Sequence, residues 1–331
     1  MKKRDFLRGM CALGVVTGSM LLAAGGAQAQ AFPARAVTVV VPYPAAGAAD
    51  IFGRAIAQAM EQPLGQSVVV ENRPGAGGNV GMTYVARSKP DGYVVGLGTI
   101  GTQTINQFIY PEMQFDPARD LVPIALVATT PNVLSVSVNS PWKTLQDVIG
   151  AARAAGDRKL TYGTPGIGSS VHLTAAYFES VTGIELLHVP FKGLSASLPA
   201  LVGGNIDLLF DNLSGSIGPI NEGSRLRGIA VTSAQRSPLA PNLPTFAESG
   251  VPGFDVTAWF ALYVSKGTPQ PVVDALIAAA RTGLQSEKLK QSYVRLAASP
   301  GNLFGPDLGA FEQLERAKWG KLVKERGIKA E

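Results

Sequence analysis

Short apolar, β-branched runs alternate along this chain with Gly- and Pro-rich loops and with segments of helical periodicity. Residues 37–41 form the first run and 42–49 a loop, and residues 50–62 then set Ile51, Ala55, Ile56 and Ala59 on one helical face. Further strands are predicted at 68–70 and 93–97. Apolar runs at 121–127 and 133–138 are split by Thr129, Thr130, Pro131 and Asn132, which read as a break. Beyond it the pattern predicts helices at 142–155, 170–181 and 194–202, alternating with strands at 160–162, 186–189, 206–210 and 227–232. Two late helices are predicted at 275–284 and 308–324. The alternation is that of an α/β fold with a largely parallel sheet. Two β-rich crossings, near 126–134 and 227–233, predict a second lobe, 127–233, inserted between 30–126 and 234–331 of the first.

The first 29 residues break this pattern. Lys2, Lys3, Arg4 and Arg8 precede an apolar stretch from 10 to 24, followed by Ala27-Gln28-Ala29, which is the order of a cleavable export signal. The stretch carries Gly14 and Gly18 and falls short of the roughly 20 residues that span a bilayer. Cleavage is expected after Ala29 and delivery to the periplasm. Lys3-Arg4-Asp5-Phe6-Leu7 resembles a twin-arginine signal with Lys in the first position, so both export routes stay open. The only cysteine, Cys11, lies in this segment, and a chain of this length can be held by its core without cross-links. Of the net charge of +5, four basic residues and one acid sit in the signal, leaving the rest near +2. Nucleic acid is not an expected partner at that balance, and a monomer is expected.

Four loops that follow predicted strands are short and donor-rich: residues 43–50, 99–102, 163–170 and 211–214. In an open α/β sheet, ligands sit beyond the carboxyl ends of the strands. Small residues leave backbone N–H groups uncovered, and helix N-termini add unsatisfied donors, so such loops can hold a carboxylate without an arginine. Each loop taken singly also reads as an ordinary turn or cap, with Asp50, Ser169 or Ser170 starting a helix. Lys192 follows a strand and reads either as a counter-charge or as a surface lysine. Tyr43, Phe191 and Trp259 are candidate walls.

Catalytic constellations are sparse. Gly96, Gly98 and Gly101 match a dinucleotide-binding spacing, but the following residues are β-branched rather than helix-forming, and no cofactor is expected. The two histidines, His172 and His188, lack clustered acids and make a poor metal site. His172 reads as a helix-start hydrogen-bonding residue and His188 as a structural residue at a strand border. No serine elbow, phosphate loop or zinc motif is present, so no enzymatic activity is expected. A hydrolase using Ser169 or Ser170 with His172 is the remaining catalytic reading.

Val40-Val41-Pro42-Tyr43-Pro44 with Gly47 and Asp50, residues 70–79, Pro90-Asp91-Gly92-Tyr93, residues 188–193, Phe210-Asp211-Asn212 and Ala230-Val231-Thr232-Ser233 resemble the Bug-type extracytoplasmic receptors of tripartite tricarboxylate transporters. The resemblance runs from about 32 to 329, and its most specific part is 71–79. It implies a type II periplasmic-binding-protein fold, two α/β lobes joined by crossing strands and closing over a carboxylate. It implies that backbone amides, hydroxyls and bridging water hold that carboxylate. Mapped onto this chain, the contacts are Tyr43, Gly47, Ala48 and Asp50, opposed by Thr164, Gly168, Ser169, Ser170 and His172, with Thr99, Thr102, Lys192 and Asp211 nearby. Where the family commonly has Pro-Gly-Gly this chain has Ala45-Ala46-Gly47, which places a methyl group where backbone approaches ligand or water. The implied ligand is a di- or tricarboxylate, an acidic amino acid or an aromatic acid. The implied partner is a membrane permease, with a membrane sensor kinase as the alternative reader of the closed form.

Overall fold

A computed structural model describes residues 32–330, so the export segment expected at 1–29 lies outside the described residues. From Arg35 onward the chain alternates as the periodicity predicts: β1 (Val37–Val41), α1 (Ala48–Leu64), β2 (Val68–Asn72), α2 (Asn79–Ala86) and β3 (Val94–Thr99). Two short helices, α3 (Asn106–Ile109) and α4 (Pro117–Asp120), lead into β4 (Leu121–Ser137). Then come α5 (Leu145–Ala154), β5 (Leu160–Thr164), α6 (Ser170–Thr182), β6 (Leu186–Pro190), α7 (Leu194–Val202), β7 (Leu208–Asn212), α8 (Leu213–Glu222) and β8 (Leu226–Val231). The chain ends with β9 (Thr257–Ser265), α9 (Gln270–Gln285), α10 (Glu287–Arg295), β10 (Ser299–Pro300) and α11 (Pro306–Arg326).

The strands fall into two parallel groups joined through antiparallel β4. β2, β1 and β3 run parallel, and β3 meets β9 antiparallel. In the other group β7, β5 and β6 run parallel, and β7 and β8 both pair antiparallel with β4. The first half of β4 pairs with β9 from Leu121↔Ser265 to Pro131↔Thr257. Its second half pairs with β7 from Asn132↔Asn212 and with β8 from Val133↔Val231. The partner change therefore falls between Pro131 and Asn132, where proline has no N–H to offer a ladder.

Two sequence expectations need correction here. The break expected at 129–132 is absent, because β4 is one strand of 17 residues. Two polar residues of that stretch are buried and bonded sideways: Thr130 Oγ1 donates to the Ala297 carbonyl at 3.2 Å, and the Asn132 N–H donates to Thr232 Oγ1 at 2.9 Å. The β-branched stretch after Thr99 is helical rather than extended, with a π turn at Gly101–Ile105 followed by α3. Hydroxyls there satisfy the backbone locally, Thr102 Oγ1 accepting the Thr99 N–H at 2.9 Å and Thr104 Oγ1 donating to the Ile100 carbonyl at 2.6 Å.

The glycine spacing that mimics a dinucleotide loop has a packing cause. Gly96 and Gly98 lie inside β3, and a Cβ on Gly98 would stand 2.6 Å from the Tyr263 ring on β9. Among the described residues, no helix is long and apolar enough to cross a membrane.

Candidate ligand-binding site

The carboxyl ends of β1, β3, β5, β6 and β7 surround a cavity of about 710 Å³. Its wall is built largely from the first turns of helices. Gly47, Ala48 and Ala49 bring the start of α1, Ser169, Ser170 and Val171 that of α6, Gly193, Leu194 and Ser195 that of α7, and Asn212, Ser214 and Gly215 that of α8. Three of these helices begin without a side-chain cap, their N-cap residues being Gly47, Gly193 and Asn212. Their first-turn N–H groups therefore have no acceptor supplied by a cap, and the helix dipoles place positive potential on the cavity. Only α6 is capped, Ser169 Oγ accepting the His172 N–H at 3.2 Å.

The first loop is held from behind. Asp50 is buried and accepts the Ala46 N–H and Arg54 Nε, each at 3.0 Å, and Asn72 Nδ2 at 2.9 Å. Burial opposes its ionisation, but the Arg54, Ala46 and Asn72 bonds outweigh that and hold the carboxyl below its ordinary range. Ala46 itself has φ 65°, the left-handed region, on the cavity wall. The methyl group noted in the sequence thus sits on a backbone conformation that suits glycine.

Tyr43 lines the cavity, and its hydroxyl shares a hydrogen bond with Thr99 Oγ1 at 2.9 Å while donating to the Gly77 carbonyl at 3.2 Å. Burial pushes its ionisation up to about 12, so it serves as a neutral phenol. Phe191, Trp259 and Phe260 add aromatic wall. The Trp259 indole N–H is fixed by Glu315 Oε2 at 3.1 Å, which also accepts the Trp319 indole at 2.9 Å.

A polar relay ties two walls together. Asn212 Nδ2 donates to Asn132 Oδ1 at 2.6 Å, Asn132 Nδ2 to Thr174 Oγ1 at 2.7 Å, and Thr174 Oγ1 to the Ser170 carbonyl at 2.8 Å. It runs from the start of α8 through β4 to the start of α6.

Of the residues expected from sequence, Tyr43, Gly47, Ala48, Thr99, Ser169, Ser170, Lys192 and Asp211 stand on the cavity wall. Asp50, Thr102, Thr164, Gly168 and His172 stand behind it. Thr102 braces Thr99, and Thr164 Oγ1 shares a hydrogen bond with His188 Nε2 at 2.7 Å. Gly168, at φ 77°, donates its N–H to His172 Nδ1 at 3.3 Å, and a Cβ there would come within 2.7 Å of Asn106 and Ile109. That ring nitrogen is therefore spent on backbone, and Ser169 Oγ donates to the Gly166 carbonyl at 2.7 Å, so the Ser169 hydroxyl does not donate to His172 Nδ1.

Lys192 and Asp211 are the only charged side chains on the wall among the described residues. Asp211 is buried, accepts Ser216 Oγ at 2.8 Å, and has its ionisation pushed up to about 6 by that burial. Wall segments absent from the sequence expectations are Pro74 to Gly78, Gly193 to Ser195, and Ala258 and Phe260. The first carries a visible signal, since Gly75, Gly77 and Gly78 all adopt positive φ. Gly193 carries the same signal at φ 99°, whereas Ala258 and Phe260 have none that local pattern provides.

Comparison with known proteins agrees with this architecture. Residues 52–328 match the model of the tripartite tricarboxylate transporter family receptor. BugT of Bordetella pertussis is 30% identical over 97% of this chain and 99% of its own. An R. palustris protein solved with adipate is 37% identical with a TM-score of 0.85, over 90% of this chain and 99% of that one. MatC from Rhodopseudomonas palustris with bound malate is 31% identical with a TM-score of 0.82, over 88% and 100%. With a two-lobed α/β fold of the periplasmic-binding-protein type and a cavity at its strand ends, the chain belongs to the tripartite tricarboxylate transporter receptor family, whose members include the Bug proteins.

Proposed function

We propose that this chain is a periplasmic solute receptor that captures a small carboxylate in the cavity and hands it to the membrane permease of a tripartite transporter. The supporting observation is the convergence of three uncapped helix starts, at Gly47, Gly193 and Asn212, on a cavity with a single cation, Lys192, among the described wall residues. Oriented neutral donors bind an anion and still release it, which suits a carrier rather than a store. Two relatives of similar fold hold adipate and malate, both carboxylates. In this reading the ligand contacts are Tyr43, Gly47, Ala48, Thr99, Ser169, Ser170 and Lys192, and Asp50, Thr102, Thr164, Gly168 and His172 hold their loops. The lobes, 30–126 with 234–331 and the inserted 127–233, close by rotation about β4 where it changes partners.

A thermal-shift panel of mono-, di- and tricarboxylates on the purified protein tests this. Binding to the folded state alone raises stability by about 2.7 kcal/mol at 100 times the dissociation constant. At least one acid should raise the melting temperature, and Lys192→Ala should weaken it roughly tenfold or more, the value of one charge-assisted hydrogen bond. A flat response to every acid would overturn the proposal.

A further inference from the structure

Gly101, the third glycine of the dinucleotide-like spacing, lies beyond β3, where it opens the π turn. Its φ is not left-handed, so its own backbone would accept a side chain without strain. A Cβ there would nevertheless stand 2.7 Å from the Gly168 carbonyl oxygen. The obstruction is mutual, because a Cβ on Gly168 would come within 2.7 Å of Asn106 Oδ1 and Ile109 Cδ1. Both glycines are buried. Residues 101–109 belong to the first lobe and 166–168 to the inserted one, so here the two lobes meet backbone against backbone.

No hydrogen bond crosses this contact among the described residues. Asn106 Nδ2 turns to the Gly77 carbonyl and to Asn79 Oδ1, Asn106 Oδ1 has no partner, and the Gly168 N–H goes to His172 Nδ1. The two surfaces can part and rejoin without exchanging a bond. Neither glycine stands on the cavity wall, but their neighbours do: Thr99 and Ile100 before Gly101, and Gly166, Ile167, Ser169 and Ser170 around Gly168. The approach of one backbone to the other therefore sets how near Thr99, with the Tyr43 hydroxyl bonded to it, comes to the start of α6.

Resting on the receptor reading and its lobe rotation, we propose that Gly101 and Gly168 are positioning residues for ligand capture. They form the stop against which the lobes close, and the missing side chain at 101 lets both walls reach one ligand. A methyl group at 101 needs the Gly168 oxygen to retreat by about 0.7 Å to reach ordinary contact, and a hydrogen bond lengthened by that much is no longer one. The penalty falls on closing rather than on any ligand group, so it is the same for every acid that closes the lobes.

The test is calorimetric titration of wild type, Gly101→Ala and Gly150→Ala with adipate, malate, glutamate and benzoate, together with thermal melts in the absence of acid. Gly150 is the control, a glycine inside α5 with nothing within 4 Å of its Cβ position. Gly101→Ala should weaken every acid that binds the wild type by tenfold or more, with factors that agree within threefold. Its acid-free melting temperature should stay within about 2 °C of wild type. Gly150→Ala should bind as the wild type does. Wild-type affinity in Gly101→Ala overturns the proposal, as does an equal loss in Gly150→Ala. Factors that differ more widely between acids place the effect on a ligand group, and a larger fall in the acid-free melting temperature makes the contact permanent packing; either also overturns it. All of these outcomes leave the receptor reading standing. Absence of wild-type binding by these four acids and by the wider carboxylate panel overturns both.

Discussion

The imidazole of His172 lies flat against that of His188, with ring centroids 4.1 Å apart and planes 13° from parallel. Burial, and for His172 also the charge of its neighbour, lowers their ionisation to about 3 and about 4. Both are therefore neutral in the folded protein, where His172 Nδ1 must accept the Gly168 N–H. In the unfolded chain they take up protons near pH 6.5. The unfolded state then binds more protons below that pH, and the stability contributed by the neutral pair is present above pH 6.5 and lost as pH falls toward 4. Urea melts of the wild type and of the His172→Gln/His188→Gln double variant, from pH 7.5 to 5, should show the wild type losing stability faster, by up to about 2.7 kcal/mol per pH unit for two protons. Parallel curves would contradict this.

Asp211 carries the opposite sign. Its folded ionisation, raised to about 6 by burial from an ordinary 3.8, makes the folded state the better proton binder between those values. Stability is lost as pH rises through that window, by about 3 kcal/mol at most for two units. Asp211→Asn keeps an acceptor for Ser216 and removes the charge. The variant should be more stable than wild type at pH 7, by roughly 1–3 kcal/mol, with the difference vanishing at pH 4. A destabilised variant at pH 7 would show that the carboxylate is better paired than its surroundings indicate.

Ala46 tests the cost of the left-handed first loop. Glycine there removes steric strain of about 1 kcal/mol but frees the unfolded chain by a similar amount, so Ala46→Gly should change stability by less than about 0.5 kcal/mol. Ala46→Val crowds the same conformation with a branched side chain and should lose about 1–2 kcal/mol. Denaturant midpoints measure both, and a harmless valine would place φ elsewhere.

Asn132 is the middle of the relay from Asn212 to Ser170. Asn132→Leu keeps its bulk and strips half-buried Asn212 and buried Thr174 of one bond each, which should cost about 1–3 kcal/mol in chemical denaturation. A loss under 1 kcal/mol would mean that the relay is replaceable by water or repacking.

How far the sequence speaks depends on how local the cause is. The unit from β1 through α1 was legible because its β-branched run, its loop and its helical face lie side by side, and α7 lies within its predicted bounds. β9 is not recognised from sequence, although the nine-residue strand Thr257–Ser265 is apolar throughout but for its two ends. Buried on both faces between β3 and β4, it lacks the alternation that marks a strand, and short apolar runs read equally as helix. The false break at 129–132 has the same origin. Thr130 and Asn132 look like turn residues until Ala297 and Thr232, 167 and 100 positions away, supply their bonds. The wall residues that sequence missed follow the rule too, since Ala258 and Phe260 reach the cavity only through the pairing of β9.

The cavity wall draws on residues from Pro42 to Phe260. A molecule held there touches segments that adjoin only once the sheet has closed, and it ties them together without a covalent bond. In a chain whose one cysteine is Cys11, cargo acts as a removable cross-link. Loading and folding then draw on the same free energy, and an empty protein is the one a protease opens first.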